Sequence, residues 1–293
     1  MTDYLVTPTA DAYGGKSIAR LPDGRALFVP FTLPGETVRV RLTSEHSGYT
    51  EGEVSQLIEP SPARVQPRCR HFGQCGGCHY QHMEYPAQLA AKRAILRDQF
   101  VRLGGLVDPP VAPTVPSPQI WRYRNQMQFH RAADGRLGLQ AARSHTVIPL
   151  TECHLPEPAL DQAWRQQSTE GAQTRTRRGQ RQKGRQRVVL RVGDEQVVQL
   201  EDGAPIHLPV LGRRFQVSAG AFFQVNLAGA ELMVQHVLGH WPGRSVAHAL
   251  DLYCGVGLFS AFLAPHVPKL TAVESSTPAC TDFVVNLHGF DHV

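Results

Sequence analysis

The chain has 293 residues, longer than one ordinary domain and long enough for two or three compact units. Lys and Arg number 30 against 25 Asp and Glu, a net charge of +5 that suits a polyanionic partner, although a solvated basic surface has the same balance. No run reaches the roughly 20 apolar residues of a membrane-spanning helix, and Met1 to Tyr13 lacks a signal peptide's charged start and apolar centre. Membrane and secreted classes are therefore set aside and a cytoplasmic location is expected, in which the 6 cysteines stay reduced and clustered thiols read as metal ligands.

The first predicted elements are short strands, Ser17 to Arg20, Ala26 to Val29, Glu36 to Leu42 and Gly52 to Ile58, punctuated by Asp23-Gly24 and Pro34-Gly35. Four or five such strands make a small OB-like barrel over residues 1–58, with Arg39 and Arg41 facing outward as a basic surface for oligonucleotides. The alternation fits any half-buried sheet equally well. Pro60-Ser-Pro62 ends this unit. In the central region, 59–217, Pro86 opens a helix to Leu103 whose Leu89, Leu96, Phe100 and Leu103 recur at helical spacing, predicting a face packed on the region that follows, 218–293. Tyr123 to His130 alternates and returns through Asp134-Gly135 and Leu137-Gly-Leu139 as a hairpin.

From Thr169 to Arg187 the chain has seven Lys or Arg, one acid and no Val, Ile, Leu or Phe, which predicts a flexible basic insertion. Strand character resumes at Val188 to Val192, Val197 to Leu200 and Arg214 to Val217. Over 218–293 the pattern becomes a helix capped by Asn226, a buried strand Val246 to Leu252, a glycine turn, a helix from about Leu258, a strand Leu270 to Val273 and a helix from Pro278 to Leu287. That is the start of a parallel Rossmann-like sheet, expected to be incomplete because a third strand should begin near Val293. The fold class is multidomain α/β.

The turn His248-Ala-Leu-Asp251-Leu-Tyr-Cys-Gly255-Val-Gly257-Leu-Phe-Ser260 puts an acid at the end of a strand and two glycines where a backbone must approach a ligand. A lone GxG is a weak signal. Glu274 sharpens it, 23 residues after Asp251 at the end of the next strand, where a carboxylate can accept both hydroxyls of a ribose. The third glycine of a dinucleotide fingerprint is missing, so S-adenosylmethionine fits better than a nicotinamide cofactor.

Cys69-Arg-His-Phe-Gly-Gln-Cys75-Gly-Gly-Cys78 supplies three thiols from one glycine-bearing loop, and Cys153 is a remote fourth. This set fits a [4Fe–4S] cluster. Structural zinc is the competing reading, with His71, His79, His82 or His154 as further candidate ligands.

These motifs, in this order, resemble the bacterial 23S rRNA (uracil-5-)-methyltransferases across essentially the whole chain. Gly14-Gly-Lys-Ser-Ile-Ala19, Pro34-Gly-Glu36 and Gly52-Glu-Val54 are similar to a TRAM domain. Tyr123-Arg-Asn125 is similar to the family's central strand, and Phe222-Phe-Gln-Val-Asn226, Asp251 to Gly257 and Val273-Glu274 to its cofactor half. The resemblance implies that Cys69, Cys75, Cys78 and Cys153 hold the cluster. It further implies that Gln224, Asp251, Tyr253, Gly255, Gly257 and Glu274 bind S-adenosylmethionine. Leu258 departs from a family position that can be a polar Asn.

The partner implied is RNA, 23S rRNA above all, acted on by a monomer. In this family a cysteine thiolate adds to C6 of uracil, C5 takes the methyl group and a carboxylate removes the C5 proton. Neither that cysteine nor that base is expected among these residues, Cys254 and Cys280 reading as small packing residues, so the chain as given is expected to be inactive. The alternative is an RNA-binding iron–sulfur or zinc module without chemistry.

Overall fold

The structure is a computed structural model describing residues 3–178, 187–193, 196–200, 203–242 and 245–293. It divides into two compact units, Met1–Pro116 with Gln140–Thr146, and Ser117–Leu139 with Val147–Val293.

The first unit begins with β1 (Asp3–Val6), β2 (Ala10–Asp11), β3 (Lys16–Arg20), β4 (Ala26–Pro30), β5 (Thr37–Glu45) and β6 (Tyr49–Glu59). They form one six-stranded sheet in the order β1-β5-β6-β4-β3-β2, with β4 and β6 parallel and the other pairs antiparallel. The period-2 reading of β5 holds: Val38 and Val40 are fully buried while Arg39 and Arg41 face solvent. Val6, Ala19, Leu21, Leu27 and Val29 complete that core. Two strands exceed the expectation, because β1 and β2 are only 4 and 2 residues long and too short to show a period.

Helix α1 (Tyr85–Arg102) starts where Pro86 places it. Its expected apolar face is not the packed one. Ala91 and Ile95 are buried, with Ala91 in a cluster with Leu33 and Met83, whereas Leu96, Phe100 and Leu103 are 48, 41 and 71% exposed. Small alanines let the helix backbone approach closely, and that side packs in preference to the bulkier one.

In the second unit, β7 (Gln126–Arg131), β8 (Leu137–Gln140), β9 (Val147–Pro149), β10 (Arg187–Val192) and β11 (Val197–Gln199) form a sheet ordered β11-β10-β7-β8-β9. Helix α2 (Pro158–Arg178) packs on it through Trp164, which stacks on Phe129 with ring centroids 5.6 Å apart. The basic segment expected as an irregular loop from Thr169 is therefore helical through Arg178, and 179–186 lie outside the described residues. Gln166 donates to Glu170 one turn on, and the Ser168 hydroxyl accepts the Leu137 N–H at 3.0 Å. Such side-chain pairs and tertiary anchors extend a helix that has no apolar stripe of its own.

The anchor tightens at the hairpin turn. Gly135 has φ +88°, and a Cβ there would lie 2.5 Å from the Gly171 carbonyl oxygen. Gly135→Ala is expected to lower stability by about 2 kcal/mol, since both the backbone conformation and the helix contact oppose a side chain. Thermal unfolding reads the loss, and an unchanged midpoint would refute it.

The remaining elements are the hairpin β12 (Ile206–Val210) and β13 (Arg213–Val217), α3 (Leu227–Gly239), β14 (Ala249–Leu252), α4 (Ser260–Leu263), β15 (Leu270–Val273) and α5 (Thr277–Asn286). Asn226 caps α3 as expected, its Oδ1 accepting the Gly229 N–H at 2.9 Å. β12 went unread because Pro209 interrupts it, which a strand of a two-stranded sheet tolerates. β14 and β15 are parallel. The expectation that β14 is buried fails, since Leu250 and Leu252 are 59 and 55% exposed.

Candidate functional site

Parallel pairing of Asp251 with Ala272 and Leu252 with Val273 brings two loops together at the strands' C-terminal ends, the usual ligand edge of such a sheet. The first loop turns at Tyr253, a non-glycine residue at φ 61° whose side chain is 90% exposed. A non-glycine residue on a left-handed backbone carries a conformational cost of the kind that clusters at ligand sites.

Gly255 (φ +57°) has nothing within 4 Å of where a Cβ would be, while a Cβ on Gly257 (φ +92°) would collide with Leu287 and Phe283 of the α5 region. The two glycines thus serve different ends. Gly255 keeps space open, and Gly257 permits close helix packing.

Glu274 closes the loop pair. Its Oε2 accepts the Gly255 N–H at 3.0 Å, and its Oε1 accepts the Ser275 and Ser276 N–H groups at 2.7 Å each. These backbone donors, Ser276 first, hold its carboxyl below the usual glutamate range. Asp251 Oδ2 accepts the Ser260 hydroxyl at 2.6 Å, a partner that sequence patterning did not single out. The structure therefore brings Asp251, Tyr253, Gly255, Gly257 and Glu274 into one constellation.

Gln224 lies on a separate strip after β13. That strip joins the turn through a shared core of Phe223, Val256 and Leu258, so Leu258, the departure from the family's polar residue, is a packing residue here. Phe222 beside it is 71% exposed. Asn286 ties the same region together, its Nδ2 donating to the carbonyls of Gln216 and Val256 and its Oδ1 accepting the Gln216 N–H at 2.7 Å. Sequence reading missed Asn286, whose role depends on helix α5 returning to β13.

Cys254 and Cys280 flank Glu274. Burial pushes the Cys254 thiol up to about 11, with Asp251 and Glu274 adding to it, and the Cys280 thiol donates to the Glu274 carbonyl at 3.5 Å. A raised thiol is the opposite of the depressed pKa of an activated nucleophile, so Cys254 is not poised as one.

The chain's remaining four cysteines divide between the units. Cys69, Cys75 and Cys78 sit in the first unit on a loop pinned to 140–146, where the Gly76 N–H donates to the Gln140 carbonyl at 3.0 Å. Burial raises the Cys75 thiol, the Gly77 N–H at 3.4 Å opposes, and the fields of Cys78 and Cys69 add to the rise. The three thiols are thus near enough to feel one another, and one already receives a backbone N–H of the kind thiolate ligands accept. Cys153 is buried in the second unit, its carbonyl accepting from Arg122 Nη1 at 3.2 Å. Among the described residues no three His, Cys, Asp or Glu side chains are assembled as a metal-binding group. His82, a candidate under the zinc reading, is buried in an aromatic cluster with Phe31 and Phe72, its Nε2 3.4 Å from the Thr32 carbonyl.

Comparison with known proteins gives the family and the fold. Residues 3–55 match the TRAM domain, and residues 152–290 match the tRNA (Uracil-5-)-methyltransferase family. An RNA methyltransferase of Streptomyces coelicolor is 33% identical over 99% of this chain and 72% of its own length. The chain belongs to the RNA (uracil-5-)-methyltransferase family. Within it, the 23S rRNA (uracil(1939)-C(5))-methyltransferase RlmD of Methylococcus capsulatus is 30% identical over 94% of this chain and 71% of its own length. The fold of this methyltransferase chain is shared with Pyrococcus abyssi tRNA (uracil-54, C5)-methyltransferase, solved with S-adenosyl-L-homocysteine, at a TM-score of 0.67 and 20% identity over 97% of this chain and 76% of that one. No helix among the described residues is long and apolar enough to cross a membrane.

Proposed function

We propose that this chain recognises RNA and binds the cofactor of a cytoplasmic, monomeric enzyme that forms 5-methyluridine in 23S rRNA. The observation carrying the reading is the paired loop: an exposed Tyr253 at positive φ, open space at Gly255, and a Glu274 carboxylate fixed by three backbone N–H groups. Residues 1–58 recognise RNA, 59–217 form the central iron–sulfur region and 218–293 begin the methyltransferase unit.

In this reading Gln224 and Asp251 hold the amino-acid end of S-adenosylmethionine. Tyr253 lies beside the sulfonium, Gly255 and Gly257 let the backbone approach, and Glu274 accepts the ribose hydroxyls. The 23S rRNA assignment draws support from the Methylococcus relative. Leu250, Leu252 and Val273 are exposed, so apolar surface of the β14–β15 pair is left uncovered among the described residues, where parallel sheets are ordinarily covered on both faces.

Cys69, Cys75, Cys78 and Cys153 are proposed as ligands of a [4Fe–4S] cluster, on the sequence pattern and the mutual field of the three loop thiols. With Cys254 unsuited to nucleophilic attack, the chain of 293 residues is expected to bind cofactor without transferring methyl. The test is anaerobic purification followed by titration with S-adenosylhomocysteine. Expected are bound iron and sulfide, absorbance near roughly 400 nm that Cys78→Ser abolishes, and saturable binding of the ligand. A colourless protein holding zinc would refute the cluster, and no binding would refute the cofactor reading.

A further inference from the structure

The strip 218–226, which carries Phe222 and Gln224, has no helix or extended strand of its own, yet its backbone is held at successive points. The Ser218 N–H and hydroxyl donate to the fully buried Asp282 at 2.6 and 2.8 Å. The Gln224 carbonyl accepts from Asn125 Nδ2 at 3.2 Å, and the Val225 carbonyl accepts the Asn125 N–H at 2.9 Å. Between these clamps stands Arg191 of β10, whose Nη2 donates to the Ala221 carbonyl at 3.4 Å and whose Nε donates to Gln126 Oε1.

Arg191 is 3% exposed, and its Nη1 has no partner among the described residues. Burial pushes its guanidinium down to about 10, against the field of Asp282. A methionine of similar length would fill the space without the cost of desolvating a charge. The charge therefore calls for a reason beyond packing, and among the described residues the Ala221 carbonyl is the group of the strip to which it donates. Arg191 and Asn125 also share a strand pair, since the Val192 N–H donates to the Asn125 carbonyl at 2.7 Å. One strand ladder thus supplies both donors that fix the strip on either side of Phe222.

We infer that Arg191 is a positioning residue: it anchors the Ala221 carbonyl so that Phe222 and Gln224 are presented in one orientation at the cofactor site. This rests on the reading of Gln224 as a cofactor contact. A guanidinium suits the task because its planar fork reaches Gln126 and Ala221 at once, whereas an ammonium is a single point of attachment.

The test uses the full chain with Arg191→Lys and Arg191→Met, measuring amide hydrogen exchange by peptide and affinity for S-adenosylhomocysteine. Loss of one hydrogen bond to a charged group predicts roughly tenfold weaker binding in Arg191→Met, with Arg191→Lys intermediate. Exchange over 218–226 is expected to accelerate in both, while β12 and β13 keep their wild-type protection. Acceleration spread evenly over the second unit would overturn the inference, as would unchanged exchange in the strip. Unchanged affinity in the variants, with the wild type binding, would overturn it too. If the wild type does not bind at all, the cofactor reading fails, and the exchange pattern alone decides whether Arg191 holds the strip. Should Arg191→Met not fold, Arg191→Lys carries the same comparison.

Discussion

Glu274→Gln is expected to weaken S-adenosylhomocysteine binding by roughly tenfold or more, because hydrogen bonds to a charged acceptor are stronger than those to a neutral amide. A glutamine of equal size has one acceptor oxygen in place of two. Wherever its amide nitrogen lies, it faces a backbone N–H, because both carboxylate oxygens already accept one or more. The loop at Gly255 loosens, and the acceptor pair offered to a ribose is broken. Glu274→Asp, too short to span the same donors, should fall between.

The pH dependence has a definite sign. Since the backbone donors hold the folded-state pKa below its ordinary value, the ionised form and its favourable contribution are fully present above the ordinary glutamate range. They are lost only as pH falls through the lowered pKa. Wild-type affinity should therefore stay level from neutral pH down to about 5. Calorimetric titration checks both statements, and a Glu274→Gln affinity within about threefold of wild type would remove Glu274 from the site.

Local chemistry made some parts of this molecule readable from sequence. Asn226 needs only its own helix to cap, and Asp251, Gly255, Gly257 and Glu274 lie at the ends of two successive strands whose parallel pairing follows from the strand–helix alternation. The alternation in β5 announced its own two faces.

Features fixed by distant partners were not readable. Alanine contributes little to a hydrophobic period, so the packed side of α1, with Ala91 and Ile95, was masked by the louder Leu96 and Phe100. The polar half of α2 reads as a loop in sequence because its helix depends on the Gly135–Gly171 approach and on Ser168 reaching Leu137. At the site, Asn286 and Arg191 act across 70 and 30 residues of chain, on Gln216 and Ala221, and spacing along the sequence carries no signal for such pairs.

Glu36 is the sharpest case, because the sequence places it at the start of a strand after Pro34-Gly35 but carries no signal of the distant partners around its fully buried carboxylate. Its Oε1 accepts Arg64 Nε at 2.5 Å and the Ser61 N–H at 3.2 Å, and its Oε2 accepts Arg64 Nη2 at 2.7 Å and the Leu33 N–H at 2.9 Å. One carboxylate thereby joins the turn before β5 to the segment that follows β6. Burial alone would push the carboxyl up. The Arg64 guanidinium and the two backbone donors outweigh it and hold the pKa below the usual range.

Glu36→Ala should then cost about 3–5 kcal/mol, the penalty for stranding the other half of a buried pair together with two N–H groups. Adding Arg64→Met to it should recover part of the loss, since the cation no longer lacks its partner while the Leu33 and Ser61 donors still do. A depressed folded pKa places this contribution above the ordinary glutamate range, and it disappears as pH falls through the folded value. Glu36→Gln, which cannot titrate, should accordingly show a flatter decline of stability in acid than the wild type. Denaturant unfolding at neutral pH and near pH 4 separates these expectations. Equal stability of Glu36→Ala and wild type, or parallel acid profiles for Glu36→Gln and wild type, would show that the buried carboxylate does not hold the TRAM unit to its following segment.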